Sequence, residues 1–402
     1  MNALRRCIAV PPRDFAEQYW GRQPLLSRKA QLPARFDDLL DESAVDELLS
    51  RRGLRTPFLR MAKDGDIVPP ARYTRSGGAG AGAGDQAADD LVLQQLDGGA
   101  TLVLQALHRT WPPLLTFASQ LSGELGHPVQ VNAYVTPAQN RGFAAHYDVH
   151  DVFVLQLAGR KQWRVHSPVL ADPLRDQSWE RRRADVAERA QETPLIDEVL
   201  APGDALYLPR GYLHSAVALG ELSIHLTVGV HPLTRYQLVR HLLDAAANDP
   251  ALRVSLPMGV DLGDPSVLEP QLRDTLAALG SHLDAISVGA VADRVTSDLR
   301  RQTRPAPIGP LEQLAAAESI DAATPLRLRP GLRCTLARDD GGLRLRMLDK
   351  AVPLAPGAEA ALKAVLVGQT FTPGELPGLD AAEQLTLART LLREAVVVPA
   401  VP

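Results

Sequence analysis

Between residues 100 and 230 the chain breaks into short apolar runs bounded by glycine or proline, and this punctuation constrains the fold more than any other feature. The runs are "ATLVLQAL", "VQVNAYVTP", "HDVFVLQLAG", "KQWRVHSP", "DALYLPRG" and "LSIHLTVGV". Their length and β-branched content mark strands, and strands at such spacing predict an antiparallel barrel or sandwich. One insert, "DPLRDQSWERRRADVAERAQE" (172–192), interrupts them; its charge predicts a surface excursion.

The flanks read differently. At 402 residues the chain exceeds what one core normally holds, so two or three domains are expected. Residues 1–70 are mainly helical in pattern: "DFAEQYWGRQPLL" stops at Pro24, and "FDDLLDESAVDELLSRRG" ends at Gly53. The stretch "SGGAGAGAGD" (76–85) reads as a flexible loop, and no Lys-Ser/Thr follows to make it a phosphate cradle. After residue 234 the pattern turns helical. Leu272, Leu276, Leu279, Leu283 and Ile286 recur at steps of four and three, the seam of a helix packing on a helix, either within the chain or across a homodimer. "RRQTRPAPIGP" (300–310) reads as a linker. The remaining residues mix short strands with helices in a small α+β unit of winged-helix type. Its would-be recognition helix is poor in basic residues, which favours a structural or protein-contact role over DNA binding. The expected domains are therefore 1–233, 234–304 and 305–402.

Charge and cysteine content remove several classes of function. With 43 basic and 47 acidic residues the net charge is −4, against nucleic-acid binding through bulk charge. Cys7 and Cys334 are too few and too far apart for a disulfide framework or a thiolate zinc site. No apolar run approaches membrane-spanning length, and "MNALRRCIAV" lacks the apolar core of a secretion signal. A cytoplasmic protein without a membrane partner is expected.

The chemistry concentrates in "AAHYDVHDVFVLQLAGRKQWRVH" (144–166), where histidines, aspartates and a lysine enter an apolar, strand-like stretch. Read as a strand, it puts His146 and Asp148 on one face, able to close on a single metal ion. His150 shares that face but would lie about 13 Å from His146 at about 3.3 Å per residue, too far to join the same ion. It is expected to support the site from outside the ligand set or to be structural. A third donor comes from "PGDALYLPRGYLHS" (202–215), in which turns at Gly203-Asp204 and Pro209–Gly211 frame His214. Two histidines and one carboxylate leave adjacent positions open on a metal, a geometry suited to Fe(II) and O2. A structural zinc site would need a fourth protein ligand, and none is evident.

With these residues in place, the chain resembles the JmjC-type, cupin-fold 2-oxoglutarate oxygenases, and among them the ribosomal oxygenases, a group of ribosomal-protein hydroxylases. The resemblance rests on "NAYVTP", "HYDVHDVFVLQLAGRKQWRV", "GDALYLPRGYLH" and "SIHLT" in that order, and more loosely on "FAEQYWGRQPLL" and the segments behind the barrel. It implies a mainly β double-stranded β-helix core with flanking helices, then a helical dimerisation region and a C-terminal winged-helix-like domain. It also implies that His146, Asp148 and His214 hold Fe(II) and that 2-oxoglutarate is the co-substrate. Lys161 shares a strand face with Trp163 and Val165, where a buried ammonium costs several kcal/mol unless an anion meets it. The resemblance supplies that anion as the distal carboxylate of 2-oxoglutarate, the alternative being a snorkelling surface lysine. Asn132 and Tyr134 match positions that line the co-substrate pocket, Tyr134 reading equally as a core aromatic, and Thr227 reaches the pocket from the polar face shared with Ser223 and His225. His225 itself reads as a core or supporting histidine.

The implied activity is hydroxylation of an Arg or His side chain of a ribosomal protein, with O2 consumed and 2-oxoglutarate converted to succinate. The same chemistry on another peptide, such as a natural-product precursor, is the alternative. Demethylation of methyl-lysine, a non-oxidative metal cupin and a catalytically silent scaffold are the remaining readings.

Overall fold

Asp151–Ala158 is buried along nearly its whole length, which explains why "DVFVLQLA" is apolar without alternation. It sits inside a two-layered arrangement, so both of its faces meet core. In the computed structural model, which describes residues 2–63, 65–138, 140, 144–339 and 342–400, this strand belongs to the unit Met1–Pro232. The strands of that unit used below are β1 (Leu25–Ser27), β2 (Leu59–Lys63), β3 (Asp66–Ile67), β4 (Thr101–Leu104), β5 (Val129–Thr136), β6 (Asp151–Ala158), β7 (Lys161–Pro168), β8 (Ile196–Leu200), β9 (Ala205–Leu208), β10 (Tyr212–Ala218) and β11 (Ser223–Val230).

An eight-stranded antiparallel sheet runs β1-β9-β6-β11-β5-β4-β2-β3, and a three-stranded antiparallel sheet runs β8-β7-β10. Alternation along β6 divides the core. Phe153 and Leu155 pack with Phe15, Phe36, Leu40 and Phe117 from the helical segments outside the large sheet. Val152 and Val154 face inward against Trp163, Val165 and Leu200 of the small sheet. This is the expected β core with flanking helices, a cupin-type arrangement of two facing sheets.

The helix Pro112–Leu125 shows how local sequence sets the outer layer. Prolines occupy its first turn, Gly126 ends it in the left-handed conformation at φ 73°, and Leu114, Phe117 and Leu121 are its buried stripe. The helix Glu42–Arg51 is capped by Asp41, whose side chain accepts from the Ala44 amide at 2.7 Å. The glycine-rich stretch at 76–85 spans a minimal ribbon, Thr74–Arg75 paired with Gln86–Ala87.

Two buried charges in the large sheet are structural. Asp151 accepts from the Tyr207 hydroxyl at 2.8 Å and from the Arg210 amide at 3.0 Å. Asp204, in the turn after Gly203, accepts from the Lys29 amide at 2.8 Å and from the Ala201 amide at 3.1 Å.

The excursion at 172–192 departs from expectation. It forms a short helix, Arg183–Arg189, whose Val186 packs with Tyr147 and Leu213, and the Tyr147 hydroxyl donates to the Gln177 carbonyl at 2.9 Å. Its charges face solvent, but its apolar side backs the segment that carries His146.

The unit Leu233–Pro402 begins with helices Arg235–Ala246, Pro265–Ala285 and Val288–Gln302. The last of these runs into the expected linker, where Arg300 is buried and donates to Thr335 Oγ1 at 2.8 Å. The rest of the unit has its own core, built from a Cys334–Leu354 meander of three strands and helices Pro310–Ser319, Glu359–Leu366 and Ala381–Arg393. Among the described residues no single helix is long and apolar enough to cross a membrane.

Candidate metal centre

Backbone pairing brings the candidate ligands together. The His146 amide donates to the His214 carbonyl at 3.1 Å and the His214 amide returns a bond to the His146 carbonyl at 2.8 Å. The Gly211 amide donates to the Asp148 carbonyl at 3.0 Å, so the turn before β10 grips the loop before β6. Gly211 has φ +87°, and a Cβ there would stand 2.3 Å from the Leu170 carbonyl oxygen, so both conformation and space call for glycine. One donor atom from each of His146, Asp148 and His214 lies within 4.8 Å of the other two. His214 Nε2 is 3.7 Å from Asp148 Oδ2, and the two imidazole centroids are 4.6 Å apart.

The route to this cluster differs from the strand-face expectation. His146 and Asp148 precede β6 in an irregular loop, and His146 takes part only in an isolated bridge with His214. Alternation along a strand therefore does not align them; the loop's own bend does. The same bend corrects the place of His150, which lines the same cavity rather than lying far along a strand.

Hydrogen bonds fix the tautomers. His146 Nδ1 is 2.8 Å from the Ala144 carbonyl and His214 Nδ1 is 3.1 Å from the Tyr212 carbonyl, so each Nδ1 holds the proton and each Nε2 keeps its lone pair. Burial, reinforced by His146, depresses the His214 pKa to about 4 against the attraction of Asp148, leaving a neutral imidazole. Burial pushes the Asp148 carboxyl upward, but its electrostatic attraction to the neighbouring His150, His214 and His146 rings and the Arg60 guanidinium outweighs it and holds it below its ordinary value. Neutral imidazoles and an ionised carboxylate are the forms that bind a divalent cation.

These groups line a cavity of about 420 Å³ that runs along β5. Gln130, Asn132 and Tyr134 face it in alternation, while Val131, Ala133 and Val135 turn into the core. Across the ladder, Thr227 pairs with Asn132 and His225 with Tyr134, and Asn132, Tyr134 and Thr227 all line the cavity. Asn132 is partly committed to structure, since its Oδ1 accepts from the Ala106 amide at 3.0 Å.

Lys161 closes one end. It is buried, its face is shared with buried Trp163 and Val165, and Nζ lies 3.1 Å from Thr136 Oγ1. Among the described residues no carboxylate pairs with it, and burial lowers its pKa to about 7. Burial rules out the snorkelling alternative, and an anion bound beside Nζ would favour its charged form. His225 beside it stacks on Tyr134 at 5.0 Å and meets Trp163 edge-on at 5.4 Å; burial and then Lys161 push its pKa well below the usual histidine value.

Sequence reasoning missed several lining residues: Arg60 and His108 come from segments that carry no motif, while Thr101 and Gln130 lie in runs read only as strands. Thr136, which meets Lys161, ends "NAYVTP" and could have been found by extending the alternation Asn132, Tyr134 by one step.

Comparison with known proteins agrees with this geometry. Residues 115–238 match the JmjC domain family. Ribosomal oxygenase 1 of Gallus gallus is 30% identical over 264 residues, covering 63% of this chain and 42% of that protein. Ribosomal oxygenase 2 of Rattus norvegicus is 34% identical over 196 residues, 46% of this chain and 40% of that protein. The bifunctional lysine-specific demethylase and histidyl-hydroxylase NO66 of Drosophila erecta is 37% identical over 137 residues, 32% of this chain and 20% of that protein. The chain thus spans less than half the length of these relatives. Among solved structures, the Escherichia coli ribosomal oxygenase YcfD superposes with a TM-score of 0.57 at 18% identity, over 97% of this chain and 98% of that one. The same protein in complex with cobalt and 2-oxoglutarate gives 0.56 at 17% identity, over 98% and 99%. At such identity the likeness is one of fold. The chain therefore carries a JmjC domain of cupin-type fold and is related in sequence to the ribosomal oxygenases.

Proposed function

We propose that this protein is an Fe(II)- and 2-oxoglutarate-dependent hydroxylase of a protein side chain, with His146, Asp148 and His214 holding the metal. The observation that supports it best is the presence in one cavity of a three-donor cluster and a buried lysine with no anionic partner among the described residues. A solved structure of the same fold holds cobalt and 2-oxoglutarate, cobalt standing in for iron. The donor set suits the group: two neutral Nε2 lone pairs and one carboxylate, with no fourth protein ligand in the cluster among the described residues.

When bound, the metal and co-substrate supply the oxidative chemistry, in which O2 is consumed, 2-oxoglutarate gives succinate and CO2, and a target C–H bond becomes C–OH. The chain's own share is binding and placement. Lys161, steadied by Thr136, receives the distal carboxylate of the co-substrate, with Tyr134, Thr227 and Asn132 lining its path. The walls of Trp163, Val152 and Val154 keep that end apolar, which strengthens the ionic contact. The target is an Arg or His side chain of a ribosomal protein; the relatives' names, ribosomal oxygenase and histidyl-hydroxylase, support the ribosomal and the histidine parts of that reading.

The remaining parts of the reading concern the second unit. We assign 1–233 to catalysis, 234–304 to a helical dimerisation region and 305–402 to a winged-helix-like domain. Leu272, Leu276 and Leu283 of the expected seam are exposed on Pro265–Ala285, which has no buried residue, and this favours a seam that a second copy covers. A cytoplasmic location agrees with two free cysteines.

The test is direct. Purified protein with Fe(II) should convert 2-oxoglutarate to succinate slowly without a target, and His214→Ala should abolish that conversion while the protein stays folded by circular dichroism. Tightly held zinc with no turnover would favour a non-oxidative cupin instead.

A further inference from the structure

The stretch expected to be a linker carries charge of one sign, and so does the segment it lies against. Residues 299–311 hold three arginines and residues 322–338 hold four, and neither stretch contains an Asp or Glu. Hydrogen bonds lay the two side by side. The Ala306 amide donates to the Pro330 carbonyl at 2.8 Å, and Arg329 Nε donates to the Ala306 carbonyl at 2.7 Å. Six residues earlier on the linker, Arg300 Nη1 donates to Thr335 Oγ1 at 2.8 Å. The linker therefore runs antiparallel to 329–335, with its two anchors at most about 20 Å apart. Arg304 falls between the anchors on one stretch and Arg333 on the other.

Few of these cations are neutralised within the unit. Arg301 pairs with Asp298 and Arg338 with Glu359. Arg300, Arg304, Arg329 and Arg333 pair with no carboxylate among the described residues. Acids occur only at the borders of the stretches, at Asp298, Glu312, Asp321 and Asp339, and Asp321 is engaged by the Thr324 hydroxyl. Arg300 is only 9% exposed, in the last turn of the helix Val288–Gln302, whose C-terminal dipole meets part of its charge. Its Nε and Nη2 have no partner among the described residues, and neither is sealed from water. A guanidinium held in one place with part of its fork open is suited to receive an anion. Burial lowers the Arg329 pKa, and no acidic neighbour offsets that. The ladder extends the band: Thr335 pairs with Arg346 and Ala337 with Arg344, placing both arginines on the sheet face that Arg300 touches.

Such a band fits a string of anions. All seven cations are arginine, whose planar fork matches phosphate oxygens two at a time. Neither stretch contains an aromatic residue, so there is no platform on which bases could stack. The leucines of 322–338 pack into the unit's own core and leave no apolar anchor for a peptide on that side. One leucine, Leu311, stays exposed at the end of the linker, and a lipid surface is therefore among the arms of the test. The helix that the winged-helix reading would offer to DNA is poor in basic residues; the charge sits on the linker and the strands beside it instead.

We infer that Arg300, Arg304, Arg329 and Arg333, continued by Arg344 and Arg346, form a binding surface for the phosphate backbone of RNA, gripped by charge and not by base sequence. The choice of RNA rests on the proposed reading of a ribosomal protein as the target, beside which RNA is the polyanion at hand. The band itself does not depend on the oxygenase chemistry.

The test uses the full chain and a fluorescein-labelled RNA duplex, with binding followed by anisotropy as salt is raised. Four phosphate contacts predict a fall in affinity of about a hundredfold between about 50 and 200 mM KCl. Arg304→Gln with Arg333→Gln should lower the slope of log affinity against log salt by about two and weaken binding about tenfold or more at low salt. Circular dichroism checks that this variant is folded. Arg13→Gln with Arg52→Gln removes the same charge from exposed arginines of the other unit and should change neither quantity. An unlabelled RNA duplex of different sequence should compete as well as the first, and poly-L-glutamate and phosphatidylglycerol vesicles should compete far less well per charge. No binding at low salt, or binding that Arg304→Gln with Arg333→Gln leaves intact, overturns the inference. Stronger competition by polyglutamate, by vesicles or by a DNA duplex overturns it too, in favour of an acidic protein, a membrane or DNA. Target-free succinate formation is measured on the same preparations, so a failure of the oxygenase reading is seen separately from a failure of the band.

Discussion

A single buried ammonium gives the site its most distinctive electrostatic property. Lys161 has an ordinary pKa of 10.5 in the unfolded chain and about 7 in the fold, because burial penalises its charge. Between about pH 7 and 10.5 the unfolded chain therefore holds a proton that the folded chain has released, and this group makes stability rise with pH across that window. A dicarboxylate reverses the balance by favouring the charged form, so binding of 2-oxoglutarate should take up a proton above pH 7. Calorimetric titration at pH 8 in buffers of differing ionisation enthalpy should reveal that uptake, with affinity falling as pH rises. In Lys161→Met the uptake should vanish and affinity should drop about tenfold or more; an unchanged proton count would remove Lys161 from the role. The residue was legible in sequence because Trp163 and Val165 share its face. His108 was not, because its position depends on its bond from the Val131 amide, far along the chain.

At the scale of elements, the placing of the candidate ligands depends on one turn. Gly211 lets the chain leave β9 and enter β10 while its amide holds the Asp148 carbonyl, and the same β10 start pairs His214 with His146. Gly211→Ala places a side chain at positive φ, which costs about 1–2 kcal/mol, and adds the clash with Leu170. We expect a lower melting temperature and at least tenfold weaker cobalt binding by titration of its visible absorbance. A variant as stable as the native protein but with native cobalt affinity would show that the turn does not set the ligand geometry. The motif pointed to His214 because glycine and proline frame it. It named the other two donors but by the wrong route, since period-two alternation applies only to extended backbone and 146–150 is bent. The charged insert at 172–192 was read by composition alone, and composition hides the one apolar side with which it backs Tyr147.

At the scale of the whole molecule, the second unit carries an apolar surface that its own chain leaves open. Leu268, Leu272, Leu276 and Leu283 are 39%, 52%, 57% and 36% exposed along one helix. If that stripe is a seam between copies, light scattering at micromolar concentration should give twice the 43.4 kDa chain mass, and Leu272→Glu with Leu276→Glu should give the single-chain mass with succinate formation retained. A native protein already at the single-chain mass would reject the seam. By itself the sequence determined the β class, singled out His146, Asp148 and His214 as a donor set that the fold does cluster, and gave the face of Lys161. Each is written in local spacing, in the turn residues and in alternation, which act over a few residues. Only the tertiary structure decided how a bent loop and a glycine turn meet, which end of the cavity holds the lysine, and that His150 occupies the place of a side chain at 229. Those facts depend on contacts between strands distant in sequence, where register and packing, rather than local preference, set the distances.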